Sequence, residues 1–176
     1  IFYGSNSNIP RRHLQCAKAY NIDYILSIDG DDILCSIEAS KIVLEELINK
    51  GKFVKTIGLP LGMNVMGYTT SFLESSLGAN TQETLETGWG KIFDQQFTKE
   101  LEIENNFNCN NIRMTLDYNA DVIFFSNVIK SISEGIISIT DKELISKIIK
   151  NKWYQINESL NDKYWENFNN QKKSEN

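Results

Sequence analysis

No apolar stretch in this chain reaches the roughly 18 residues that a membrane-spanning helix needs, and no segment has the pattern of a secretory signal. A basic field is also missing. Lys and Arg number 18 against 23 Asp and Glu, a net charge of -5. That excludes wholesale nucleic-acid binding, so an anionic substrate must be met by a metal or by a few placed basic residues. Cysteines are scarce and odd in number: Cys16, Cys35 and Cys109, with no C-x-x-C among them. This pattern is neither a disulfide framework nor a zinc site, and reduced thiols in a cytosolic protein are its simplest reading. Two prolines and ten glycines exclude a fibrous or disordered chain. What is present is enough apolar material, 41% of 176 residues, for one sizeable core in one domain.

The pattern alternates between strand and helix. Residues 1–4 read as a short strand and 8–20 as a helix. Residues 23–28, DYILSI, form an apolar run of the kind buried on both faces of a sheet. Residues 36–50, SIEASKIVLEELINK, read as a helix stopped by Gly51, and 53–57 as another strand. The segment 58–68, GLPLGMNVMGY, reads as a loop leading toward a strand, 69–79 as a helix, and 86–97, ETGWGKIFDQQF, as helical around Trp89 and Phe93. Residues 98–110 read as an exposed loop, 111–116, NIRMTL, as a strand ending at Asp117, and 119–134 as a helix. Thr140 and Glu143 form a capping box that opens a helix to about Lys150, and a last helix covers 153–169. Alternating units of this kind predict an α/β fold, a mostly parallel sheet with helices on both faces. They occupy one domain over residues 1–170, with a polar tail over 171–176.

In open α/β sheets, ligands bind outside the carboxyl ends of the strands. Asp29, Asp31 and Asp32 sit there, at the end of YILSIDGDDILCS (24–36), and Asp117 ends the other clear strand. Carboxylates gathered at strand tips repel one another unless a cation lies among them. Mg²⁺ suits such a set, because it takes one or two carboxylates and leaves its other positions to water and phosphate. A solvated turn is the competing reading, since Asp-Gly and Asp-Asp are common turn residues.

Three segments together resemble the cytidylyltransferases that make CMP-activated sugars, the CMP-Kdo synthetase and spore-coat polysaccharide SpsF-like group. They are YGSNSNIPRRHLQCAKAYNIDYILSIDGDDIL (3–34), GLPLGMNVMGY (58–68) and RMTLDYNADVIFFSNVI (113–129). The resemblance implies a nucleotide-diphospho-sugar-transferase-like (GT-A-like) fold and transfer of CMP from CTP to a sugar with release of pyrophosphate. An acidic keto-sugar in surface polysaccharide or glycan synthesis is the implied acceptor, and a homodimer the implied assembly. By position, Asp31 and Asp117 become the Mg²⁺ carboxylates and Arg12 the arginine near the phosphates or the substrate. Gly30 lets the backbone approach phosphate, with Asp29 and Asp32 supporting. Pro60, Gly62 and Asn64, with Glu86, line the acceptor side. Ile33 replaces the proline usual after Gly-Asp, and Glu86-Thr87 replaces a Glu-His pair, which leaves the acceptor's identity open. The group's N-terminal strand and nucleotide-holding loop have no counterpart here, so the sequence reads as the C-terminal portion of a larger domain.

Two other functions fit some of the same residues. Asp29-Gly30-Asp31 is also the Asp-x-Asp of metal-dependent glycosyltransferases, and a non-catalytic piece of the fold would keep its strands without its nucleotide loop. The only histidine, His13, reads as a surface residue of the first helix. Trp89, Trp153 and Trp165 read as packing residues, and Glu83 and Glu86 as an acidic helix start. The aromatic C-terminal helix is expected to dock on the body or on a second subunit.

Overall fold

The computed structural model describes residues 1–132 and 138–175. Helix α1 (Ile9–Tyr20) starts where the Asn8 side chain accepts from Arg11 N–H at 2.9 Å with Pro10 in the first turn, and ends at Asn21 in the left-handed region. Strand β1 (Tyr24–Ser27) follows, then α2 (Ile37–Ile48), capped by Ser36, whose hydroxyl accepts from Ala39 N–H at 2.8 Å. Strands β2 (Phe53–Ile57) and β3 (Met66–Thr69) lead into α3 (Thr70–Gly78). After strand β4 (Thr98–Glu102) come α4 (Asn119–Ile132), α5 (Asp141–Lys150) and α6 (Asn161–Ser174). The capping box predicted at Thr140 and Glu143 is present.

The strands form one mixed sheet in the order β1-β3-β2-β4. The expectation of a mostly parallel sheet is overturned: β3 runs antiparallel to both β1 and β2, and only β2–β4 is parallel. The reason is the connection over residues 58–65, which is shorter than the dozen or so residues a parallel crossover requires. Helices do cover both faces. Along β2, Val54 points into a core shared with α2, α4 and α5, while Phe53 points into a second core with Tyr68, Phe72, Trp89 and Phe93. This is the period-two alternation of a strand buried on both sides.

Other local expectations shift. Residues 1–4 form no strand, and 86–97 holds two short 3-10 turns, Trp89–Ile92 and Gln95–Phe97, in place of a helix. Part of the expected loop 98–110 is β4, whose Lys99 and Glu100 point outward and hide its strand character. The expected strand 111–116 is an extended segment with one isolated bridge, Leu61 to Arg113. Residues 133 and 134, expected to end the fourth helix, lie outside the described residues. The last helix begins only at Asn161, after two 3-10 turns, and continues through Ser174, so most of the expected polar tail is its final turn.

Candidate active site

β1 stops at Ser27, and the acidic residues beyond it lie on a turn in which Asp32 N–H donates to Asp29 C=O at 3.1 Å. The turn expected of this stretch is present. The extended segment 112–117 is held beside it by Leu116 N–H to Asp31 C=O at 3.0 Å and by Met114 N–H to Leu61 C=O at 2.7 Å. Those two bonds bring Asp31 and Asp117 together. The Thr115 hydroxyl lies 3.0 Å from Asp31 Oδ2 and 3.2 Å from Asp117 Oδ2. It carries one proton, so it can donate to only one of the two at a time.

Asp117 has a second partner. The Arg113 guanidinium, fully buried, pairs with it and also donates from Nε to Asp121 Oδ1 at 3.1 Å. Asp121, buried as well, accepts from the N–H groups of Asp117 and Tyr118 at 3.0 and 2.8 Å, and from Asn157 Nδ2 at 2.8 Å. Arg113 Nη1 has no hydrogen-bond partner among the described residues, but the guanidinium lies 4.7 Å from the Tyr164 ring centre and 5.3 Å from that of Tyr118. Both distances suit a cation–π contact.

Asp29, Asp31, Asp117, Glu86, Trp89 and Tyr164 line a cleft of about 530 Å³. A larger hollow of about 900 Å³, near Lys130 and Lys147, contains none of the strand-end aspartates. No ion pair reaches Asp29, Asp31 or Asp32 among the described residues. Burial, with the Asp31 charge second, raises the Asp29 carboxyl above its ordinary range. Burial, then the charges of Asp31 and Asp29, push Asp32 up to about 7. The Tyr164 phenol is pushed up to about 12 by burial and by Asp117.

The raised acid at Asp32 has a consequence for stability. Its folded value lies above its unfolded value near 3.8, so the folded chain binds the proton more tightly. Stability is then full below about pH 4 and is lost as pH rises toward 7. With a chelator present to remove divalent ions, Asp32→Asn is expected to flatten the melting-temperature profile between pH 4 and 7 and to raise the melting temperature at pH 8. An unchanged profile counts against it.

Gly62 sets the spacing behind the acidic turn. Its φ is +86°, and a Cβ there would lie 2.4 Å from Met114 C=O and 2.9 Å from Asp32 Oδ1. Gly62→Ala is therefore expected to destabilise the chain by about 2–4 kcal/mol, read as a lowered urea midpoint.

Of the other anticipated site residues, Glu86 lines the cleft. Arg12 lies on α1, donates from Nη1 to Ser5 C=O at 3.2 Å, and is not among the cleft-lining residues. The Asn64 amide donates to Leu59 C=O at 2.9 Å, within its own loop, and Pro60 is buried. A Cβ at Gly30 would meet nothing within 4 Å. His13, expected on the surface, is half-buried: its Nδ1 lies 2.6 Å from Tyr68 Oη, and its ring meets Trp89 edge-on at 5.7 Å. Burial, then the neighbouring Arg12 charge, lowers its pKa. Sequence reasoning missed Arg113, Thr115, Tyr164 and Asn157. The spacing Arg113–Asp117–Asp121 was a visible signal for the first, whereas Asn157 gave none.

No family model and no curated protein matches this chain. Among solved structures it is similar to one described as "Structure of a Cytidylyltransferase from Leptospira borgpetersenii serovar Hardjo-bovis (strain JB197)", with a TM-score of 0.72 and 24% sequence identity over 87% of this chain and 67% of that one. A likeness at this identity speaks to architecture: the chain has the fold of that cytidylyltransferase.

Proposed function

We propose that the chain is a cytidylyltransferase that transfers CMP from CTP to a sugar, with release of pyrophosphate. The observation that carries this reading is the meeting of Asp31 and Asp117 on the Thr115 hydroxyl, in a cleft of a chain with this fold. The donor set suits Mg²⁺. It consists of hard carboxylate oxygens, and among the described residues no cluster of three or more His, Cys, Asp or Glu is arranged for a metal. A site of two protein carboxylates, completed by water and phosphate, is what Mg²⁺ tolerates. Asp31 and Asp117 would hold it, and when bound it would neutralise the triphosphate charge.

The chain's own groups do the rest. A sugar hydroxyl forms a bond to the α-phosphorus while the bond to pyrophosphate breaks. The hydroxyl proton passes to a carboxylate, and Asp29, which lines the cleft and holds protons more tightly than an ordinary aspartate, is the residue placed to take it. Arg113 fixes Asp117 in position, and Trp89 and Tyr164 wall the cleft. An acidic keto-sugar is the acceptor in this reading. A cytosolic homodimer serving glycan synthesis is its setting, in keeping with three free cysteines.

The test incubates the full-length gene product with CTP, Mg²⁺ and a panel of 2-keto-acid sugars and measures pyrophosphate. Release with one of them is the expected result. No release, together with no thermal shift from CTP and Mg²⁺, overturns the reading. A thermal shift from a UDP- or GDP-sugar alone would point instead to the Asp29-Gly30-Asp31 glycosyltransferase.

A further inference from the structure

We propose that the backbone amides of Glu86 and Thr87 form a carboxylate-binding nest at the rim of the cleft, and that the Glu175 side chain fills it when no ligand is bound. Thr87 N–H lies 3.0 Å from Glu175 Oε1 and 2.9 Å from Oε2, and Glu86 N–H lies 3.1 Å from Oε2. Two consecutive amides thus converge on one carboxylate, the geometry of a backbone anion site. The turn is shaped by Gly88, whose φ is +61°.

The nest is built and held from behind. Asn8, fully buried, donates its side-chain amide to Gln82 C=O and Glu83 C=O at 3.3 and 3.2 Å. Leu85 exchanges backbone bonds with Ser7 and Ile9 at 2.8 and 3.0 Å. With those groups engaged, the next two amides face α6. Lys172 lies along Gly88, which brings a basic side chain alongside.

Glu175 caps the C-terminal end of α6, where exposed carbonyls disfavour negative charge. The nest's amides offset that cost, and any ligand carboxylate offers the same two oxygens. Glu86 and Thr87 also line the cleft that contains Asp29, Asp31 and Asp117. Glu175 itself lines a neighbouring hollow of about 480 Å³ that shares Glu86 and Gln171 with the cleft, so a small acid seated on the nest sits where the two adjoin. Assigning that carboxylate to the acceptor sugar rests on the cytidylyltransferase reading, whereas the nest itself does not.

The experiment is a two-dimensional NMR titration of the amides with pyruvate, and with pyruvamide as the uncharged control. Pyruvate is expected to move the Glu86 and Thr87 signals, and pyruvamide is expected to leave them in place. Glu175→Ala removes the tethered competitor and should lower the pyruvate dissociation constant by about tenfold. Glu175→Gln, which keeps the length of the side chain, should lower it by less. Equal dissociation constants in all three proteins, or shifts confined to residues away from 86–88, overturn the proposal. Pyrophosphate release is read separately. A responding nest without CTP turnover leaves the carboxylate site standing and removes the acceptor assignment, and turnover with silent amides leaves the cytidylyltransferase reading standing and overturns the nest.

Discussion

Replacing Arg113 with methionine is expected to destabilise the chain by about 3–5 kcal/mol, the range for breaking a buried charge pair from one side. The size follows from what is left behind. Asp121 is wholly buried and keeps its three N–H donors, but it loses the cation that, among the described residues, compensates its charge. Asp117 loses a partner in the same step, and Tyr118 and Tyr164 lose the flat group they lie against. Lysine is a poor rescue, because a compact ammonium cannot reach two carboxylates through a planar fork while lying against two rings. Urea denaturation monitored by tryptophan fluorescence gives the result directly. A loss under about 1 kcal/mol would mean that Asp121 is held by its amide donors alone.

Asp31→Asn and Asp117→Asn are expected to lower the rate of pyrophosphate release by about 10²–10³-fold each, the scale seen when one preorganised charge-stabilising group is removed. The two should differ in stability. Asp31 is held by the Thr115 hydroxyl, and an amide oxygen can still accept that bond. Asp117 faces the buried guanidinium, so its substitution also disturbs the Arg113 network. Both variants should need more Mg²⁺ for half-maximal rate. Unchanged rates in both, in an otherwise active protein, would remove these two residues from the chemistry.

The acidic turn after β1 was legible in the sequence because an apolar run ending in charge signals a strand end whichever way the neighbouring strands run, whereas the same signal at 111–116 marked an extended segment and no strand. Strand direction was not legible, because it depends on the length and path of residues 58–65. The strand character of Thr98–Glu102 was hidden by outward-facing charges. The tryptophans read as packing residues divide in the structure. Trp89 is buried in the second core and also lines the cleft, whereas Trp165 remains 46% exposed. Asn157 was invisible because its side chain meets Asp121 and Arg113 C=O across the fold, and no local pattern encodes such a contact. The role of α6 as a cleft wall was hidden for a related reason. Its aromatic face predicts docking, but the partner surface is assembled from Tyr118 and the 86–90 turn.

The two cores lie on opposite faces of the sheet, and the cleft has one wall from each: Met66 and Trp89 from one, Asp117 and Tyr118 from the segment that leads into α4 on the other. Inheritance can therefore treat the walls as separate parts. Changes around Trp89 and Phe93 can alter what the cleft admits without repacking α4 and α5, while Arg113, Asp117, Asp121 and Asn157 must be kept or replaced as a group. Descendants of such a chain would be expected to diverge in the company they accept well before they diverge in their chemistry.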